Sequence, residues 1–109
     1  MADPALADCV LVFVTVPDEG ADDFARNLIE ARVAACVSVL PVMTSTYQWE
    51  GQIESEPERQ VIIKTTRGAV PALWDRVRHL HPFDVPEFVV VPISDGNAAY
   101  LQWVRNSVG

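Results

Sequence analysis

The sequence predicts an α+β fold, four strands and two helices in the order βαββαβ, followed by a short closing helix. Three observations carry this expectation. An apolar, β-branched run stands at 9–16, two long period-two segments flank Glu50-Gly51, and two stretches of helical spacing alternate with the strand-like runs.

CVLVFVTV (9–16) is continuously apolar, the pattern of an interior strand covered on both faces or central in its sheet. PDEG then opens a helix on which Phe24, Leu28, Ala31 and Ala35 follow i, i+4, i+7 and i+11, with Asp22, Asp23, Arg26 and Glu30 opposite. The acids gather near its N-terminus, where the macrodipole favours them. From Cys36 the period becomes two: Met43, Ser45, Tyr47 and Trp49 share one face, and Thr44, Thr46, Gln48 and Glu50 the other. Gly51 tolerates positive φ, so a tight hairpin at Glu50-Gly51 sets Trp49 opposite Gln52 and Tyr47 opposite Glu54. Pro57 cannot donate to a ladder, and a bulge or break is expected at 56–58 before VIIKTT resumes at 61.

Val70, Leu73, Trp74, Val77 and Leu80 keep helical spacing, with Pro71 tolerated in the first turn and Pro82 ending the helix at His81. EFVVVPI (87–93) is the fourth strand. SDGN offers Asp95 or Asn97 as the cap of a closing helix carrying Tyr100, Leu101, Trp103 and Val104. Right-handed crossovers in both halves give a ferredoxin-like sandwich, a four-stranded antiparallel sheet with its helices on one face. It forms a single domain over 9–109 behind a flexible N-terminus at 1–8. The strand pair 37–66 is longer than a small sheet needs and carries Tyr47, Trp49 and Ile53 beyond the helix cover. Such a ribbon is unstable alone and exposes strand edges, so a homo-oligomer is expected.

With 109 residues, half of them hydrophobic, the chain can bury one core. Its 15 acidic and 8 basic residues give a net charge of −7, which repels nucleic acid and anionic membranes. No apolar run approaches the roughly 20 residues of a membrane helix, and a cytoplasmic protein is expected. Cys9 and Cys36 lie in separate apolar runs without CxxC or Cys/His spacing and read as buried thiols. There is no GxGxxG, P-loop, GxSxG or HExxH, hence no standard enzyme machinery, no catalytic residue and no cofactor-binding motif.

The polar residues that interrupt this pattern are the candidate sites. HPFDVPE (81–87) holds His81 with Asp84 and Glu87; an imidazole with carboxylates can ligate a divalent ion, or the histidine can simply end a helix where a cation is mildly favoured. Lys64 sits inside VIIKTT, where a charge needs a partner, such as Glu87 or a neighbouring subunit, or an anionic ligand. Arg32 interrupts an apolar helix end and invites the same two readings. Tyr47, Trp49 and Trp103 can line a small-molecule pocket or anchor a subunit contact. Glu54, Glu56 and Glu58 alternate along one strand face and read as a solvated acidic surface.

RVAACVSVLPVMTSTYQWEGQIE (32–54), IKTT (63–66), HPFDVPEFVVVPISDG (81–96) and YLQWV (100–104) closely resemble the CutA family of divalent-cation tolerance proteins. The resemblance implies a ferredoxin-like subunit in a homotrimer held by long hairpins, similar in plan to the PII signalling proteins. It implies a non-enzymatic role in tolerance to copper and other divalent ions, with His81 and Glu87 as the metal-ligand candidates. Some bacterial members carry a cysteine where this chain has Val14, and a His-His pair where it has Leu80-His81, so only His81 matches. Likeness to PII implies an alternative: a small anionic effector between subunits, with Arg32, Tyr47, Trp49, Lys64 and Trp103 as its pocket.

Overall fold

The computed structural model describes residues 8–109; residues 1–7, most of the expected flexible N-terminus, lie outside the described residues. Strand β1 (Cys9–Val16) leads to helix α1 (Ala21–Glu30), then to the hairpin of β2 (Cys36–Trp49) and β3 (Gln52–Thr66). A 3-10 turn runs into α2 (Val70–Leu80), followed by β4 (Val89–Pro92) and α3 (Ala98–Asn106). The sheet order is β2-β3-β1-β4 with every neighbouring pair antiparallel, the ferredoxin-like arrangement that the two crossovers require.

Side chains alternate across a strand, so β1 divides in two. Val10, Val12, Val14 and Val16 pack with Phe24 and Leu28 of α1, Leu73 and Val77 of α2, and Val61 and Ile63 of β3. Burying each such side chain stabilises the fold by roughly 1.5–3 kcal/mol. Leu11, Phe13 and Thr15 point the other way and are only half-buried. The apolar run is therefore central in its sheet without being covered on both faces of one chain. α3 shields only the start of the second face, where Cys9 packs with Leu101 and Val104. Of the two proposed caps, Asn97 takes the role: its side chain accepts from the amides of Ala99 and Tyr100.

Three local expectations need correction. α1 ends at Glu30, short of Ala35, and Arg32 leaves the helix in the left-handed region with φ 60°. Gly109 holds it there: the Gly109 amide donates to the Arg32 carbonyl, and Arg32 Nε donates to the Gly109 carbonyl, each at 3.0 Å. The fourth strand is shorter than 87–93, because β1 offers pairing only from Phe13↔Val89 to Val10↔Pro92. The bulge belongs to Pro41, and β3 runs unbroken through Pro57. Val39 pairs with Val61 and Val42 with Arg59, so Leu40 and Pro41 together oppose Gln60. Arg59 Nε donates to the Leu40 carbonyl at 2.8 Å and braces the irregularity. Pro57 is harmless because β1 pairs with β3 only from Arg59 onward, leaving the outer side of β3 before that point with no ladder to break.

Beyond Arg59 the hairpin continues alone for seven pairs, from Met43↔Glu58 to Trp49↔Gln52. It draws the molecule out to 46 Å along one axis against 27 and 24 Å on the others.

Candidate functional site: a cleft between the hairpin and the 82–87 loop

Glu50 and Gly51 both have positive φ, 50° and 79°, as a two-residue turn matched to strand twist demands. The turn sets the expected register, Trp49 opposite Gln52 and Tyr47 opposite Glu54. Ser45, Tyr47 and Trp49 thus share a face with the even-numbered residues of β3, which is also the face of Thr15.

The wall opposite comes from the segment after α2. Pro82 disfavours helix before it, and His81 is the C-cap with extended backbone. Its ring is buried, with Nε2 2.6 Å from the Thr15 carbonyl and Nδ1 accepting from the Phe83 amide at 3.2 Å. An accepting Nδ1 leaves Nε2 as the protonated nitrogen that donates to Thr15. The ring also lies 4.8 Å from that of Phe83. His81 thereby staples the 82–86 loop to β1.

Between hairpin and loop lies a cleft of ≈ 690 Å³. Tyr47 and Trp49 stand on one side, Phe83, Asp84 and Glu87 on the other, and Thr15 and Glu58 at the floor. Gln60 Nε2 donates to Glu87 at 3.0 Å and to the Val14 carbonyl at 3.1 Å, which orients that carboxylate. Glu58 is only 6% exposed, and no described residue gives it a hydrogen bond or an ion pair. The Tyr47 phenol is pushed above its ordinary range, first by desolvation and then by Glu56, Glu58 and Glu54. The cleft is aromatic and electronegative.

The sequence candidates divide among separate places. Tyr47, Trp49 and Glu87 meet in the cleft with the loop that His81 holds. Lys64 does not pair with Glu87, contrary to expectation: Gln60 occupies that carboxylate, and Lys64 lies four residues further along β3, about 13 Å away at strand spacing. Its ammonium donates instead to Ser38 Oγ at 3.1 Å and Cys36 Sγ at 3.8 Å on the bare sheet face. Arg32 is bound to Gly109, and Trp103 is half-exposed on α3 beside Tyr100, ring centroids 5.6 Å apart. Among the described residues, no basic side chain lines the cleft.

The residues present do not build a chelating metal centre. Both His81 nitrogens already serve backbone groups, Val14 faces the core, and no three His, Cys, Asp or Glu side chains gather among the described residues. Cys9 is buried, and its thiol donates to the Leu101 carbonyl at 3.6 Å. Sequence reasoning missed Glu58, which it placed with Glu54 and Glu56 on a solvated face. The available signal was its period-two relation to Gln60, Ile62 and Lys64, residues of the sheet proper.

A ferredoxin-like sheet with a protruding hairpin and a cleft at its base defines the class of protein, and comparison with known sequences makes it particular. The profile of the CutA1 divalent ion tolerance protein family matches residues 10–107, and the chain belongs to that family. It is 45% identical to the divalent-cation tolerance protein CutA of Thermus thermophilus over 100 residues, 91% of this chain and 97% of that one. It is 49% identical to human protein CutA over 94 residues, covering 85% of this chain and 52% of the human one. Among solved structures, the PII-like protein CutA from Nostoc superposes with a TM-score of 0.87 at 28% identity, covering 92% of this chain and 97% of that one.

Proposed function

We propose that the chain acts as a homotrimeric, non-enzymatic divalent-cation tolerance protein of the cytoplasm, assembled through its bare sheet face and projecting hairpin. One observation carries the assembly. The sheet face opposite the helices keeps Leu11, Phe13 and Ile62 half-buried and Val89 and Val91 50% and 38% exposed, and the ribbon exposes 80% of Ile53. Uncovered apolar surface of this kind, on the bare sheet face and, with Ile53, on the other face of the ribbon, calls for a partner, and a closed ring covers the same surfaces on every copy. The number three comes from the family resemblance. Two free cysteines without a disulfide among the described residues suit a reducing compartment. Light scattering is expected to give three chain masses for the wild type and smaller species for Val89→Glu; a monomeric wild type would overturn the reading.

In this reading His81 and Glu87 engage Cu²⁺ or another divalent ion only after the 82–86 loop releases the imidazole. Each hydrogen bond surrendered costs about 0.5–1.5 kcal/mol, so the site is weak. Calorimetric titration of the wild type and His81→Ala with Cu²⁺ tests it, and equal affinities would remove His81 from the site.

The cleft itself favours a second reading, a PII-like module that takes a small effector. For an anionic effector the positive charge has to come from Lys64 or Arg32 of a neighbouring copy, because the cleft supplies none. A thermal-shift screen with nucleotides and carboxylates is then expected to find a ligand whose effect vanishes in Lys64→Ala.

A further inference from the structure

We infer that the cleft between the hairpin and the 82–87 loop binds a small organic cation, a protonated amine or guanidinium, with Glu58 as its counter-charge and Tyr47 and Trp49 as its aromatic walls. The inference rests on the effector reading only in treating the cleft as a small-molecule site; it assigns the ligand's charge from this chain's own residues.

Glu58 is the central observation. It is 6% exposed, it lines the cleft, and its carboxylate has no hydrogen-bonding or ionic partner among the described residues. Its carboxylate oxygens are not among the buried unpartnered atoms of the described residues, so they open onto the cleft at the end of a side chain that is otherwise covered. One position along β3, Arg59 turns its guanidinium to Leu40 and Asp18; two positions along, Gln60 serves Glu87. With both neighbours engaged elsewhere, the charge of Glu58 is left facing the open side of the cleft.

The rest of the lining specifies that donor's chemistry. Asp84 and Glu87 add two carboxylates, and among the described residues no lysine, arginine or histidine lines the cleft. An anion would meet uncompensated like charge. A bare divalent metal ion needs several converging donors, and no such group forms among the described residues. Tyr47, Trp49 and Phe83 are 41%, 48% and 46% exposed. Exposed aromatic faces beside a carboxylate are the surroundings that attract an organic cation, through the ring quadrupole and a charge-assisted hydrogen bond. A volume of ≈ 690 Å³ falls in the range of small-molecule sites. The Tyr47 phenol is raised first by desolvation and then by Glu56, Glu58 and Glu54, in keeping with negative charge along this wall.

The test uses the full chain in its native oligomer, with argininamide as probe and citrate as an anion of comparable size. Calorimetry and tryptophan fluorescence are expected to show argininamide binding that weakens with added salt, while citrate gives no signal. Glu58→Gln keeps the shape and removes the charge; it is expected to lower argininamide affinity by roughly tenfold or more with circular dichroism and oligomeric mass unchanged. Trp49→Leu is expected to weaken binding and abolish the fluorescence response.

Argininamide binding that Glu58→Gln leaves intact would overturn the inference. Citrate binding at Trp49 without argininamide binding would overturn the charge assignment while leaving the effector reading standing; silence from both would sink the two together. Loss of trimer in Glu58→Gln, with no small cation present, would show that a basic side chain of a second copy fills the cleft, and would likewise overturn it.

Discussion

Replacing His81 by alanine separates the staple from the ligand. The imidazole ties Nε2 to the Thr15 carbonyl at 2.6 Å and Nδ1 to the Phe83 amide at 3.2 Å, and the residue is 7% exposed, packed against Phe83. Two hydrogen bonds are worth roughly 1–3 kcal/mol together. The buried ring adds on the order of 1 kcal/mol, and we expect a total destabilisation of about 2–4 kcal/mol. Guanidinium unfolding at one fixed protein concentration, in the presence of a chelator, measures the change without any contribution from metal. Amide exchange at Phe83 localises it, because that hydrogen loses its acceptor. His79→Ala is the control: its ring is exposed, with a single bond at 2.7 Å to the Asp75 carbonyl one turn back, and a loss within about 0.5 kcal/mol is expected. If His81→Ala matches His79→Ala, or if Phe83 keeps its protection, the staple argument fails.

The other predictions concern α3 and the thiol beneath it. Asn97→Ala removes acceptors 2.9 and 3.3 Å from the amides of Ala99 and Tyr100; a loss of about 1 kcal/mol is expected, together with faster alkylation of Cys9 as the helix frays. Burial pushes the Cys9 thiol up from its ordinary value, Arg105 opposes the shift and Asp8 adds to it. A group whose folded pKa is raised contributes stability that is complete below its unfolded value and is lost as pH rises through the folded one. Stability is therefore expected to fall above about pH 9 more steeply in wild type than in Cys9→Ala, measured by denaturant midpoints across an alkaline series.

Patterns that live within one element were legible in the sequence. The period-two run at 43–49, the left-handed turn at Glu50-Gly51, the proline stop at His81 and the cap at Asn97 each follow from local chemistry, and each stands where expected. Patterns that depend on what lies beside an element were not. Pro57 and Pro41 look alike in sequence, yet one falls where β3 has outrun β1 and the other where β2 must still follow β3. Lys64 and Glu87 are opposite charges in neighbouring segments of the family motif, but strand registers set Gln60 at the carboxylate instead. Glu58 resembles Glu54 and Glu56 by composition alone, yet it is buried and shares the lining of a cleft with the 82–87 loop that the second crossover brings to this side.

The bulge at Leu40-Pro41 also acts as a parity switch. Before it, Cys36 and Ser38 stand opposite Lys64 and Ile62; after it, Met43, Ser45 and Tyr47 stand opposite Glu58, Glu56 and Glu54. The same face of β3 thus meets even-numbered residues of β2 on one side of the bulge and odd-numbered residues on the other. Deleting one residue there would restore a regular ladder, one residue opposite Gln60 with Val42↔Arg59 and every later pair retained, so Tyr47 and Trp49 would stay on the cleft face. The Glu50-Gly51 turn sets the register of the ribbon from its tip, and the bulge takes up the odd residue between ribbon and sheet, so this is the spot where a change of chain length by one can be absorbed without moving the aromatic wall.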